Sequence, residues 1–244
     1  EQGIGDEILY LSCLPDLLQD QTALVVECDN RWKKLFERSF PSIKVVSRQI
    51  SYKEDNEVFY DYREVVTKNN INSYVLSGDL PALYRYSLCK PVSSEGYLKA
   101  DPARTQKFEY VLSKISSKTL IGICWRSAFS EPVPFIYAKL DELISSLPEG
   151  DYCLVNLQYG DFTADIVRIE SELGVKIHEI PDLNQLEDLD GVAALISCLD
   201  LVIAPSSSVL HLSCALGVPT ISTYYPNFRS DARTDPLFGN CLPV

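Results

Sequence analysis

Four short stretches carry side chains that could do chemistry together, and each lies where an apolar run gives way to a helical pattern. In the first, Ser206-Ser207-Ser208 follows the apolar run Leu201 to Ala204 and Pro205. Val209, Leu212 and Leu216 then recur at helical spacing until Gly217 and Pro219 supply a stop. A helix that starts at these serines presents unpaired backbone N–H groups, a partial positive charge and hydroxyls, a combination that suits a phosphate or diphosphate. Helical spacing sets His211 on the face of Ser207 and Ser208. The plainer alternative is a serine N-cap beside a packed histidine.

The second stretch is Gly3-Ile-Gly5-Asp6-Glu7, in which a glycine turn, Gly3 and Gly5, leads Asp6 to the start of a helix. Asp6 is there either a capping carboxylate or a general base for an acceptor hydroxyl. The third is Trp125-Arg126-Ser127, where an arginine can grip a diphosphate through two parallel bonds or make an ordinary surface ion pair. The fourth is Gln158-Tyr159-Gly160-Asp161. Gly160 lets the backbone pass close to a ligand, and Gln158 and Tyr159 could read or stack on a base; otherwise this is a turn capped by Asp161.

Other patterns are weaker. Asp188-Leu-Asp190 has the form of a divalent-metal pair, but two carboxylates ahead of a helix need no metal to explain them, and none is assigned. His178 has no evident partner, and neither a phosphate-binding G-x-x-x-x-G-K loop nor a nucleophile-His-acid pattern is present. Tyrosines 52, 60, 62, 84, 86 and 97 gather in the first part of the chain, either half-exposed in packing or as stacking surfaces for sugar rings.

These stretches need a frame. Strands are expected at 22–28, 43–46 and 73–76, with helices at 30–40 and 79–89, and 47–70 reads as polar and irregular. Asp101-Pro-Ala-Arg begins a helix to about 116. Strands at 119–125, 152–157, 175–178, 201–204 and 220–223 then alternate with four helices, the pattern of a doubly wound parallel sheet. The expected fold is α/β: two Rossmann-like domains facing a cleft, 1–100 and 119–244, joined by the helix at 101–118. The glycine turn of Gly3 and Gly5 normally follows a strand, so the first strand of the N-terminal domain is expected to be missing.

The totals bound the class. The chain has 244 residues, 46% apolar and 23% charged, with a net charge of -12. That is globular composition, and scattered Lys and Arg argue against nucleic acid or an anionic membrane as partner. No run spans a bilayer and no leader is visible. Eight cysteines without a C-x-x-C pair read as small buried hydrophobes of a reducing, cytoplasmic compartment.

Taken in order, G-I-G-D-E, I-G-I-C-W-R-S, L-Q-Y-G-D, D-L-D-G-V-A-A-L-I-S-C-L-D-L-V-I-A and H-L-S-C-A-L-G-V-P-T resemble glycosyltransferases of the heptosyltransferase type. The resemblance is greatest to the version at the carboxyl end of bacterial tetratricopeptide-repeat proteins. It covers nearly the whole chain and is strongest from Thr119 to Thr220. It implies the glycosyltransferase-B fold, a nucleoside-diphosphate-sugar donor on the second domain, a hydroxyl acceptor (glycan, lipid-linked sugar or protein) on the first, and hexosyl or heptosyl transfer without cofactor or metal. By position Asp6 matches the catalytic aspartate, and Arg126 and Ser127 lie in the segment that supplies a basic donor-phosphate contact. Ser206 to His211 match the family's D-T-G-x-x-H donor loop. Here three serines stand where Asp, Thr and Gly are expected, while His211 is kept. That departure leaves two other readings open: a non-catalytic nucleotide- or glycan-binding or interaction module of a larger repeat protein, and a nucleotide-sugar epimerase.

Overall fold

The structure, a computed structural model, describes residues 3–20, 23–54, 57–84, 95–127, 137–223 and 241–243. Its second half is built on six parallel strands: β5 (Thr119–Ile123), β6 (Tyr152–Asn156), β7 (Ile177–His178), β8 (Leu201–Ala204), β9 (Thr220–Ser222) and β10 (Cys241–Pro243). Their order across the sheet is β10-β9-β8-β5-β6-β7. Counted from β5 this is the doubly wound order of a dinucleotide-binding domain, and its direction reverses between β5 and β8. The sixth strand, β10, was not expected from the sequence.

Alternation along these strands explains why both faces are covered. Ile121, Ile123, Leu154 and Ile203 point into one apolar cluster with α7 (Leu140–Ser146) and α8 (Thr163–Leu173). Val155, Val202 and Ala204 point into the other, beneath α9 (Leu189–Ile196) and α10 (Ser208–Ala215). A strand buried on both sides has no polar register, which is why it reads as a continuous apolar run.

The first half holds β1 (Val25–Cys28) paired in parallel with β2 (Lys44–Ser47), flanked by α1 (Ile4–Leu11), α2 (Leu14–Asp20) and α3 (Lys33–Ser39). The helical run breaks between α1 and α2 at residues 12–13, and Pro15 lies in the first turn of α2, where its missing N–H costs nothing. Two expectations fail here. Residues 73–76 form no strand: Tyr74 is 89% exposed and Leu76 is 64% exposed, so no strand or core among the described residues covers them. Residues 47–70 are not irregular but contain an antiparallel hairpin, β3 (Ile50–Glu54) with β4 (Glu57–Tyr60), and α4 (Arg63–Asn69). A short 3-10 turn (Ser77–Asp79) leads into α5 (Leu80–Tyr84); the remainder of the expected helix to Cys89 lies outside the described residues.

The connecting helix α6 (Pro102–Ile115) starts as anticipated. Asp101 caps it by accepting from Ala103 N–H at 2.9 Å and Arg104 N–H at 3.1 Å. Ahead of it, Tyr97 and Leu98 both donate backbone bonds to Ala215 O, at 2.7 and 2.8 Å, docking this segment on the end of α10. The docking needs two glycines in left-handed conformation, Gly96 (φ +74°) and Gly217 (φ +77°), whose backbones touch. A single apolar cluster includes Ile8, Leu11, Trp32 and Phe36 from the first half and Leu195, Val209 and Leu212 from the second. No helix among the described residues is long and apolar enough to cross a membrane.

Candidate functional site

The strand order makes the carboxyl ends of β5 and β8 the switch point, and two of the four stretches meet there. Cys124 N–H donates to Ile203 O at 2.9 Å, so the turn after β5 runs beside the turn after β8. The Cys124 thiol, fully buried, lies against the Ser207 side chain; burial pushes the thiol up to about 12, so it stays protonated. Helix α10 begins within the three serines, as expected. Its N-cap is Ser207, buried and with no side-chain capping bond, while Ser206 is exposed and Ser208 opens the first turn.

The third participant comes from the first half. The start of α1 abuts the start of α10 so closely that a Cβ on Gly5 would sit 3.1 Å from His211 Cδ2 and 3.4 Å from Ser208 N. Two helix N-termini, each with unpaired N–H groups and positive partial charge, therefore converge at the switch point. Gly3, in extended backbone and with nothing within 4 Å of where a Cβ would sit, is the N-cap of α1 and needs no glycine for steric reasons. Asp6 is at the third position of α1, half-buried, and its Oδ2 accepts from Gly3 N–H at 3.1 Å. Its charge is felt by His211 across the junction. The structure thus brings Asp6, Ser207, Ser208 and His211 together.

Arg126 takes the ion-pair alternative, and Gln158 does not face a ligand space. The Arg126 guanidinium points along the sheet edge, paired with Asp165 in the first turn of α8 and with Asp161 O. It is an ion-pair partner here, and it would have to leave Asp165 to meet a phosphate. Gln158 is fully buried and cannot read a base. Its Oε1 accepts from Trp125 N–H and Arg126 N–H, both at 2.9 Å, and its Nε2 donates to Arg126 O and Tyr159 O. These bonds clamp the ends of β5 and β6 together, satisfying backbone groups that would otherwise be buried unpaired. Asp161 does not cap α8, whose N-cap is Phe162.

Tyr159 and Gly160 do line a cavity of about 350 Å³ at the carboxyl ends of β6 and β7, closed by Phe162, Ile180 and the 183–186 loop. Gly160 adopts φ +81°, so it holds its turn where other residues would be strained. Tyr159 donates to Ser127 Oγ at 3.4 Å, linking this cavity to the β5 turn. On the loop, Gln185 Nε2 donates to Asn156 O at 3.1 Å, while Arg31 of the first half donates to Leu186 O at 3.0 Å.

Residues 182–238 match the family described as Glycosyltransferase family 9 (heptosyltransferase). That segment contains α9, β8, α10 and the serine turn. Protein FlbA of Caulobacter vibrioides is 32% identical over 227 residues, which are 90% of this chain and 37% of FlbA, so the chain spans little more than a third of that relative. Among solved structures, ADP-heptose lps heptosyltransferase II of E. coli is similar with a TM-score of 0.65 and 15% identity, over 100% of this chain and 88% of that one. A glycosyltransferase family 9 protein of Veillonella parvula gives 0.62 and 13%, over 100% and 84%. The fold is the mixed α/β, parallel-sheet architecture of glycosyltransferase-B enzymes.

Buried and half-buried ion pairs hold this arrangement, and the sequence did not single out Glu7 among them. Glu7, 2% exposed, follows Asp6, pairs with Arg48 and accepts from Asp29 N–H at 3.0 Å, so it anchors α1 to the end of β1. The carboxylates of the Asp188-Leu-Asp190 pattern are both taken by arginines, Asp188 by Arg104 at 2.7 Å and Asp190 by Arg38 of α3. The Arg104 guanidinium holds Asp188 below the usual carboxylate range. The only sequence hint of Glu7 is an acidic residue on an otherwise apolar helix face.

His211 gives a pH-dependent expectation. Burial lowers it to about 4, against the weaker upward pull of Asp6, so the imidazole is neutral at pH 7 and acts as a hydrogen-bonding group, not a cation. The unfolded chain takes up this proton near pH 6.5 and the folded one only near 4. The stability tied to neutral His211 is therefore complete above about 6.5 and falls away from there towards pH 4, by about 3 kcal/mol in all. Urea midpoints measured across pH 4–7 should fall less steeply in His211→Gln than in the natural protein. Parallel curves would show that folding does not depress the His211 pKa.

Proposed function

We propose that the protein is a glycosyltransferase moving a hexosyl or heptosyl group from a nucleoside diphosphate sugar to a hydroxyl acceptor. The observation that carries this reading is the convergence of the α1 and α10 N-termini, with Asp6 and His211 between them, at the switch point of a doubly wound sheet. An adenosine diphosphate donor is the first choice, because the E. coli structure named above is of an ADP-heptose enzyme.

In the proposed reaction Asp6 takes the proton of the acceptor hydroxyl as its oxygen bonds to the anomeric carbon. The bond from that carbon to the diphosphate breaks, and the diphosphate leaves with the electron pair. Its charge is met by the N–H groups of α10 with the Ser206 and Ser208 hydroxyls, and by Arg126 if that side chain exchanges Asp165 for phosphate. His211, being neutral, contributes a hydrogen bond. The cavity beside Tyr159 and Gly160 accommodates base and ribose. No metal or cofactor takes part in this scheme, in which helix ends supply the positive charge.

A second reading has one observation in its favour: the serines in place of D-T-G, together with an arginine already engaged by Asp165, fit a site that binds without turning over. A thermal-shift panel of nucleoside diphosphates and their sugars, followed by a transfer assay, decides between the two. At about 100 times its dissociation constant a true ligand adds roughly 2.7 kcal/mol, a shift of several degrees. Stabilisation with turnover supports the transferase and stabilisation without it the binding module. No stabilisation by any nucleotide overturns the transferase and the nucleotide-binding module, and favours an interaction module.

A further inference from the structure

The hairpin and helix absent from the sequence expectation enclose an open groove of about 580 Å³, lined by Tyr52, Phe59, Tyr60, Tyr62, Asp61 and Arg63. None of the chemistry described above uses it. Its aromatic surface faces water: Tyr52 is 51% exposed and Tyr60 is 46% exposed. The rings are ordered as plates. Tyr52 and Phe59 stack with centroids 4.4 Å apart and planes 10° apart, and Tyr60 and Tyr62 stack at 6.1 Å and 17°. At the rim the Asp61 carboxylate is fixed by Arg63, whose Nε lies 3.0 Å from both oxygens and whose backbone N–H lies 3.0 Å from Oδ1.

We propose that this groove is a binding subsite for a neutral pyranose saccharide. Flat rings with negative faces match the flat C–H faces of a sugar, whose hydrogens carry partial positive charge beside the ring and hydroxyl oxygens. A carboxylate and a guanidinium held side by side offer acceptor and donor together, and neighbouring hydroxyls can use both at once. An aliphatic side chain could use neither. The pair carries no net charge, and the whole chain is at -12, so neither an anionic lipid nor a nucleic acid is matched by this surface. The volume is in the range of small-ligand sites.

The groove is also connected to the candidate active site. Tyr62 OH donates to Glu27 Oε2 at 2.6 Å, Glu27 Oε1 lies 3.5 Å from Arg48 Nε, and Arg48 pairs with Glu7, the residue after Asp6. Its saccharide would thus be the acceptor, a statement that rests on the transferase reading, whereas binding itself does not.

Saturation-transfer NMR on the full chain with cellotetraose, chitotetraose and maltotetraose, without nucleotide, tests the site. Transfer to ring C–H protons is expected for at least one of them, with a loss of tenfold or more in affinity in Tyr52→Leu and little change in Tyr52→Phe. Leucine keeps apolar area but not a flat face, and a circular dichroism spectrum and melting temperature like those of the natural chain certify the fold of each variant. No transfer from any of the three sugars overturns the proposal, and so does equal binding by Tyr52→Leu. Saccharide binding in a protein that no nucleotide stabilises would leave the groove standing and remove the transferase. Nucleotide-dependent turnover without saccharide binding would do the reverse.

Discussion

Asparagine in place of Asp6 is expected to slow sugar transfer by roughly 10²- to 10⁴-fold, the usual contribution of a general base, with donor affinity nearly unchanged. The substitution is chosen for what it keeps. An asparagine Oδ1 can still accept from Gly3 N–H, as Asp6 Oδ2 does at 3.1 Å, so the first turn of α1 stays in place against α10. What is lost is the ability to take a proton. His211 is no substitute, because it lies buried beside Ser208 and is depressed to about 4, a poor base at neutral pH. Steady-state rates with saturating donor, and nucleotide affinity by calorimetry, separate the two effects. Near-normal turnover in Asp6→Asn would place the base elsewhere.

The second large effect concerns the backbone. Gly217→Ala is expected to destabilise the fold by about 3 to 4 kcal/mol, combining left-handed strain with collision against a neighbouring main chain. A Cβ at Gly217 would lie 2.5 Å from Glu95 O, and one at Gly96 would lie 2.5 Å from Ala215 O. Neither neighbour can rotate away, since Tyr97 and Leu98 are tied to that same Ala215 carbonyl. Gly174 is the control, because it has φ +65° but nothing within 4 Å of its would-be Cβ. Gly174→Ala should cost only the conformational penalty, on the order of 1 kcal/mol. Equal losses at the two positions, read from urea denaturation, would refute a steric role for the Gly96–Gly217 contact.

How much of this was legible in the chain depends on where each element finds its partners. The parallel strands β5, β6 and β8 announce themselves because both faces are buried, and the serine turn follows β8 at the sheet's carboxyl edge. The β3–β4 hairpin was hidden by an irregular register between Ile50 and Tyr52 and by aromatics left facing solvent, which break the alternation a half-buried strand would show. Residues 73–76 carried a strand-like pattern, but no strand among the described residues pairs with them. Gln158 looked like a ligand reader because a polar side chain at a strand end usually faces outward. Its real duty is set by two N–H groups some thirty positions away, which no local pattern displays. The Glu7–Arg48 pair is invisible for the same reason, spanning 41 positions.

The apolar cluster shared by both halves also limits how the protein can move. Swinging the halves apart about a hinge would bring Ile8, Leu11, Val209 and Leu212 into water, against roughly 25 cal/mol for each Å² uncovered. Rolling or sliding α1 along α10 would keep those side chains covered. Any relative motion of the two halves is thus cheapest as shear along a greased seam, which runs from the contact of Gly5 with His211 to that of Gly96 with Gly217.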